Sequence, residues 1–278
     1  MYDCTQADIP VSKKVMDDND FRELLKYLNR PWEGYRKVRK GVIKRLRRHM
    51  AELDCTTLPA YIDILLHNRT EYQTCQAHLR VTISRFCRDK QVWQHLENRL
   101  LPGLAAHFPQ ELNVWSAGCA CGEEPYSLAI LWNRLQIPTA FNITATDADQ
   151  LNLERARKGV FAKSSLKELS TECISSCFSR PNGKHYSILP HLRDSICWHR
   201  HDLLDAPPLG PFHLIFLRNS LLTYYRQPAL SRALEHIVET LLPGGLLVVG
   251  AHERLPELSV SLVSDHLCPL IFSRNPES

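Results

Sequence analysis

The chain has 278 residues, enough for one large domain or two modest ones, and its 44% hydrophobic and 23% charged residues are ordinary for a globular protein. Apolar stretches such as Leu241–Ala251 are too short for a membrane span, which takes about 20 residues. Residues 1–15 lack the basic start and the apolar run of a signal peptide, so we expect a cytoplasmic protein.

Ten cysteines raise the question of disulfides or zinc. A long chain without a signal peptide argues against a disulfide framework. The only closely spaced pairs are Cys119 with Cys121 and Cys173 with Cys177, and neither has the spacing of a zinc knuckle. The sequence therefore predicts buried thiols and no metal site.

The first hundred residues predict a helical N-terminal domain over 1–100. Apolar residues recur at helical spacing in Asp18–Leu28, Tyr35–Leu53 and Leu58–His67. This part holds 19 Lys and Arg against 13 Asp and Glu, with most of the excess in Arg36–Arg48. The basic face of that helix is either a solvated surface or a contact for a macromolecule, and we expect an acidic partner rather than nucleic acid.

Residues 101–278 have a different pattern, in which apolar strands alternate with helices. Such alternation predicts a parallel, doubly wound sheet with helices on both faces. The predicted strands are Leu112–Ser116, Phe141–Thr146, Phe212–Leu217 and Leu246–Gly250, and the predicted helices are Glu124–Leu135, Leu151–Lys158 and Pro228–Leu241. Between the second helix and Phe212, a small antiparallel insertion is predicted over about 178–200. Its strands would be Tyr186–Ile188 and Ser195–Trp198, with turns at Asn182-Gly183 and Pro190.

The turn after the first strand carries the chemistry. Gly118 and Gly122 let the backbone pass close to a ligand, but the full dinucleotide-binding pattern and the lysine of a phosphate-binding loop are absent. Glu123 would repel a pyrophosphate and suits an ammonium group. Asp147, at the end of the second strand, stands where an acid accepts ribose hydroxyls. A ribose joined to a cationic amino acid group, without phosphate, describes S-adenosylmethionine (SAM). The alternative is that Glu123 favours a helix N-terminus and Asp147 is a turn residue.

These residues lie in stretches that closely resemble the CheR-type chemotaxis receptor methyltransferases. The stretches are Thr82–Asp89, Val114–Leu128, Ala145–Asp149, Leu153–Ala156, Gly210–Asn219 and Leu242–Gly245. The resemblance implies a Rossmann-like class I methyltransferase domain with a small inserted antiparallel β subdomain and an N-terminal helical domain. It also implies transfer of the SAM methyl group to receptor glutamates, with S-adenosylhomocysteine as product.

The resemblance further implies the site residues. For cofactor binding these are Thr82, Ser84, Arg88, Gly118, Glu123, Asp147, Asp202, Leu203, Arg218 and Asn219. Arg88 and Tyr224 are the predicted catalytic residues. A carboxylate acceptor is already ionised near neutral pH and needs no general base, and Arg88 can hold it without protonating it.

The acceptor half of the motif pattern departs from the family. Thr82 and Ser84 replace an asparagine and a threonine, and Thr223 stands where the active-site tyrosine is expected, although Tyr224 or Tyr225 could serve after a small shift. The family's Gly-His-Ser-Glu after the last strand appears as Gly250-Ala251-His252-Glu253. Two other functions therefore stay open: a methyltransferase of this fold acting on a small molecule or another side chain, with a base such as His252, and a SAM-sensing scaffold without catalysis.

Overall fold

A computed structural model of the protein describes residues 16–180 and 183–275. The start of the chain and the Pro181-Asn182 part of the predicted turn lie outside the described residues. The chain forms two compact units, and the boundary between them lies between Val81 and Thr82. The sequence pattern predicts this boundary near residue 100 instead. The difference arises because residues just before 100 pack on the sheet of the second unit. The Trp93 ring stacks on Phe216 with 5.4 Å between ring centroids.

The first unit consists of helices, as predicted. They are α1 (Asp18–Tyr27), α2 (Trp32–Tyr35), α3 (Arg39–Glu52), α4 (Leu58–His67) and α5 (Arg69–Leu79). A capping box formed by Asp17 and Asp20 starts α1. The predicted helix over Tyr35–Leu53 begins at Arg39, after the separate turn α2. It buries Val42 and Leu46 and leaves most of its basic residues on the outer side.

The second unit alternates helices and strands. In chain order these are α6 (Lys90–His95), α7 (Leu101–His107), β1 (Glu111–Ala117), α8 (Glu123–Leu135), β2 (Ala140–Asp147), α9 (Gln150–Lys158), β3 (Val160–Ala162), α10 (Thr171–Cys177), β4 (Phe178–Ser179), β5 (His185–Ile188), α11 (Pro190–Arg193), β6 (Ile196–Arg200), β7 (Phe212–Leu217), α12 (Leu221–Tyr224), α13 (Ala229–Glu239), β8 (Leu241–Val249), β9 (Leu262–Ser264) and β10 (Ile271–Arg274). A π-helical turn, Leu96–Leu100, joins α6 to α7, and a 3-10 turn, Lys163–Leu166, follows β3.

The large sheet has the order β6-β2-β1-β7-β8-β10-β9. Its first five strands run parallel, while β10 is antiparallel to both β8 and β9. From β1 the chain proceeds through α8 to β2 on one side, and after β6 it crosses to β7 on the other side of β1. The carboxyl ends of β1 and β7 therefore border the crevice in which doubly wound sheets bind ligands.

A separate three-stranded antiparallel sheet, with the order β3-β5-β4, confirms the expected small β subdomain. The prediction that Ser195–Trp198 belongs to this insertion is wrong. Ile196–Arg200 forms β6, which pairs parallel to β2, with Ile196 opposite Ile143. As an edge strand, β6 buries only part of its side chains, and this makes its sequence alternate like a strand of an antiparallel hairpin.

The mixed α/β fold predicted from the sequence, with a mainly parallel sheet beside a small antiparallel one, is thus confirmed. Within the residues that the structure describes, no helix is long and apolar enough to cross a membrane.

Candidate active site

The turn between β1 and α8 requires glycine at two positions. Gly118 and Gly122 have φ angles of +85° and +95°, in the left-handed region. A Cβ atom on Gly118 would lie 3.0 Å from the Ser220 Cβ, and one on Gly122 would lie 2.9 Å from the Ala156 Cβ. The backbone therefore passes so close to its neighbours here that a side chain at either position would force them to shift.

Asp147 ends β2 and holds this turn in place. Its Oδ2 accepts a hydrogen bond from the Ala120 amide at 2.9 Å, and its Oδ1 accepts one from the Asp149 amide at 2.9 Å. The Asn152 side chain also donates to Oδ1, at 3.2 Å. Burial raises the pKa of Asp147, while these hydrogen bonds act in the opposite direction. The carboxylate thus lies at the crevice with a fixed orientation, as an acceptor for ribose hydroxyls requires.

Glu123 is the first residue of α8 and is 5% exposed. Its Oε1 accepts a hydrogen bond from the Ser165 hydroxyl at 3.3 Å, whereas its Oε2 is buried without a hydrogen-bond partner among the described residues. Burial raises the pKa of Glu123, and the hydroxyls of Ser165 and Ser84 counteract this. A buried carboxylate oxygen without a donor is the feature that an ammonium group satisfies, so these residues fit SAM.

The pKa of Glu123 predicts how SAM affinity depends on pH. Its pKa is raised in the free protein, and a bound ammonium group favours the ionised form, so binding is coupled to loss of a proton. We expect SAM affinity to fall as the pH drops from neutral into the acidic range and Glu123 takes up its proton. The fall should be steeper in the wild type than in Glu123→Gln, which should bind SAM more weakly at neutral pH. Calorimetry over this range measures both, and parallel pH profiles would contradict the role of Glu123.

Arg218, directly after β7, is the centre of an internal ion-pair network. Its side chain is 3% exposed and lies 2.5 Å from Asp89 Oδ2 and 3.3 Å from Glu124 Oε2. It also donates to the Arg88 carbonyl at 3.0 Å, and Glu124 accepts a hydrogen bond from the Ser116 hydroxyl at 2.7 Å. The Arg218 guanidinium therefore joins the ends of β1 and β7 to the segment that carries Arg88.

A second carboxylate, Glu253, connects the loops after β7 and β8. Its Oε2 accepts hydrogen bonds from the amides of Asn219 and Gly250, and its Oε1 accepts one from the Thr223 hydroxyl. Asn219 is among the site residues predicted from the sequence, whereas Glu253 is not. Its local signal is the run Gly250-Ala251-His252-Glu253 directly after β8, which stands where the resemblance expects Gly-His-Ser-Glu.

Arg88 and Tyr224 are the residues that the sequence predicts for the acceptor side. Burial raises the pKa of Tyr224 to about 12, while the positive charge of Arg88 lowers it and the negative charge of Glu253 raises it. Thr82 is exposed and Ser84 is half-buried near Glu123.

Asp202 and Leu203 follow β6 along the same edge of the sheet. Leu203 is buried, and its side chain lies 3.6 Å from the position of a Cβ atom on Gly118. The Asp202 carboxylate accepts a hydrogen bond from the Leu204 amide at 3.1 Å. In the part of the chain that the structure describes, no group of three His, Cys, Asp or Glu residues could hold a metal ion.

Comparison with known proteins agrees with this geometry. Residues 82–264 match the sequence model of the family described as "CheR methyltransferase, SAM binding domain". A chemotaxis protein methyltransferase of Listeria monocytogenes is 36% identical over 177 residues, which cover 64% of this chain and 67% of that protein. The chemotaxis protein methyltransferase of Escherichia coli is 30% identical over 234 residues, covering 79% of this chain and 78% of that protein.

A larger relative shows that such a sequence also occurs within a longer protein. An uncharacterized 104.1 kDa protein of Rhodobacter capsulatus is 33% identical over 223 residues, and this chain spans 23% of its length. The family match covers more than half of the chain and includes the glycine turn, Glu123, Asp147 and Arg218. The chain therefore belongs to the CheR family of SAM-dependent methyltransferases.

Proposed function

We propose that this methyltransferase forms a methyl ester on a protein carboxylate, namely a glutamate side chain of a receptor-like acceptor. The family match, whose range includes both Arg88 and Tyr224, supports this proposal most directly. The Tyr224 hydroxyl keeps its proton near neutral pH, as a tyrosine ordinarily does, and burial raises its pKa further. It is then a hydrogen-bond donor and not a base, and this suits an acceptor that is already ionised.

The cofactor supplies the methyl group, and the protein positions the acceptor. SAM, when bound, supplies an electrophilic methyl group on a positively charged sulfur. In our proposal Arg88 holds the acceptor carboxylate through charge-assisted hydrogen bonds, and the Tyr224 hydroxyl donates a further one. Both groups can orient the carboxylate and exclude water from it without taking up a proton.

The cofactor would be held by the opposite half of the site. We assign the ammonium group to Glu123 and the ribose hydroxyls to Asp147, with the backbone of the Gly118 turn beside them. Leu203 and Asp202 would flank the adenine, while Thr82, Ser84 and the Arg218-Asn219 backbone would complete the pocket.

The names of the relatives and the exposure of His252 favour this acceptor over the alternatives. The Listeria and E. coli relatives are named chemotaxis protein methyltransferases. A thiol, amine or phenol acceptor would need a base, and the base suggested by the sequence, His252, is exposed. The same proposal includes that the acceptor is a protein and that the enzyme methylates it from the cytoplasm.

Helix α3 offers a surface for an acidic protein partner. Three of its arginines make hydrogen bonds with other segments of the N-terminal unit. Arg45 donates to the His78 and Arg80 carbonyls at 3.0 and 2.8 Å, Arg47 donates to the Met16 carbonyl at 2.8 Å, and Arg39 donates to Asp18 at 2.7 Å. The exposed cations of this surface include Lys40 and Lys44 on α3 and Lys37 in the turn before it. Charge reversal at these lysines therefore tests the surface without removing those contacts.

We expect the triple variant Lys37→Glu, Lys40→Glu, Lys44→Glu to lower methyl transfer to protein while SAM affinity stays unchanged. Long-range attraction to an acidic partner speeds association by about tenfold or more, and the effect weakens with salt. The measurement is transfer of label from methyl-labelled SAM into acid-precipitable protein of a cell extract, at low and high salt.

The same assay tests the proposed protein acceptor. Label found only in small molecules would refute it. If labelled protein forms at the wild-type rate in the triple variant, α3 is a solvated face and not a docking surface.

A further inference from the structure

We propose that Glu253 is a positioning residue for the acceptor side of this site. It holds Tyr224 in the place that the family motif gives to the preceding residue, and this inference rests on the proposed function. Glu253 lies in the loop after β8 and is half-buried.

The contacts of Glu253 join three separate segments. Oε2 accepts hydrogen bonds from the Gly250 amide at 2.6 Å and the Asn219 amide at 2.9 Å. Oε1 accepts a hydrogen bond from the Thr223 hydroxyl at 2.5 Å. One carboxylate thus fixes the end of β8, the residue after Arg218 and the helical turn α12.

The backbone around Glu253 is shaped to these contacts. Asn219 has a φ angle of +53°, an uncommon conformation for a residue other than glycine. A Cβ atom on Gly250 would lie 2.6 Å from Glu253 Oε2 and 3.0 Å from Asn219 Oδ1. Any side chain at position 250 would therefore displace the carboxylate.

The contact with Thr223 bears on the departure from the family motif. Thr223 stands where the resemblance places the active-site tyrosine, and its hydroxyl is directed to Glu253. Tyr224, the last residue of α12, directly follows Thr223 in this turn. In our proposal the Glu253–Thr223 hydrogen bond fixes the turn and, through it, the position of Tyr224.

The experiment compares Glu253→Gln with Thr223→Val, and uses Glu257→Gln as the control. The control makes the same charge change at an exposed acid in the same loop. We expect Glu253→Gln to lower kcat by about 10- to 100-fold, because small misplacements of reacting groups have effects of this size. SAM affinity should change by less than about threefold, a 0.7 kcal/mol difference at most. Thr223→Val, which loses only the hydroxyl contact, should also lower kcat, and Glu257→Gln should not.

A second readout separates positioning from simple structural damage. Titration of the tyrosines by ultraviolet absorbance, with Tyr224→Phe to assign the signal, reports the pKa of Tyr224. It should fall below about 12 in Glu253→Gln and stay unchanged in Thr223→Val, which keeps the charge. This readout needs no acceptor, so it can succeed even if the proposed ester is not found.

Two results would overturn the inference. One is wild-type kcat together with an unmoved Tyr224 titration in Glu253→Gln. The other is a loss of SAM affinity as large as the loss of kcat, which would assign Glu253 to the cofactor half. If Glu253→Gln fails to fold, the kcat of Thr223→Val decides. A lowered kcat supports the inference, and a wild-type kcat contradicts it.

Discussion

Replacing Arg218 by methionine is expected to lower the free energy of unfolding of the methyltransferase unit by about 3–5 kcal/mol, the usual result of removing one partner of a buried ion pair. The Arg218 side chain is 3% exposed and is the partner of both Asp89 and Glu124. Methionine fills much of the space but leaves two carboxylates without their cation. Chemical denaturation measures the loss.

The pH dependence of this loss follows from Glu124. Burial raises its pKa and the charge of Arg218 lowers it, so the pKa of Glu124 rises further in the variant. An acid whose folded-state pKa lies above its unfolded value destabilises the fold as the pH rises through that range. The difference from the wild type should therefore be smaller at mildly acidic pH than at neutral pH.

Two comparisons make the Arg218 experiment specific. Arg193→Met removes an exposed pair with Asp194, in which the two side chains are 42% and 65% exposed, and should leave stability nearly unchanged. Adding Glu124→Gln to Arg218→Met should recover part of the loss. If Arg218→Met were as mild as Arg193→Met, the internal network would not stabilise the site.

Replacing Asp147 by alanine is expected to weaken SAM binding by about 1.5–3 kcal/mol, or roughly 10- to 150-fold, as for a lost hydrogen bond to a charged group. The variant removes the proposed ribose acceptor and also frees the Ala120 amide, which Asp147 binds at 2.9 Å. Both changes act on cofactor binding, since the Ala120 amide lies in the glycine turn. Calorimetry with SAM and with S-adenosylhomocysteine measures the effect.

Asp149→Ala is the matched control for Asp147. It also removes one carboxylate, two residues further on, where Asp149 accepts a hydrogen bond from the Leu151 amide at the start of α9. Loss of this cap should reduce stability by about 0.5–2 kcal/mol and leave SAM affinity nearly unchanged. Equal SAM affinity in Asp147→Ala and the wild type would refute the ribose assignment.

Most of the fold could be predicted because its signals are local. The apolar runs that became β1 and β7 are buried on both faces over most of their length, and such strands are recognisable without knowing their neighbours. The edge strand β6 was misplaced because one of its faces is exposed. Pro243 and Gly244 follow the predicted helix Pro228–Leu241, which ends at Glu239, and they lie inside β8, where pairing with β7 continues past a register shift.

The residues of the candidate site likewise differ in whether their sequence signal is local. Gly118, Gly122 and Glu123 lie in one turn, so their joint role could be read from spacing. The contacts of Arg218 with Asp89 and of Glu253 with Asn219 join residues 129 and 34 positions apart. No local pattern records such pairs, and folding alone brings them together. For this reason the cofactor half was predicted in more detail than the acceptor half.

The chemical nature of the transferred methyl group tests the central claim most directly. Protein labelled with methyl-labelled SAM is treated with mild alkali, and volatile labelled methanol is collected. A glutamate methyl ester releases its label as methanol, whereas methylated amines and thioethers retain it.

Arg88→Gln should reduce this ester by about 10- to 150-fold, since a charge-assisted hydrogen bond is lost, while the Arg88 carbonyl that Arg218 binds is retained. Arg85→Gln, at an exposed arginine three residues earlier, should leave it unchanged. The account predicts alkali-labile label that depends on Arg88, and alkali-stable label on protein would contradict it.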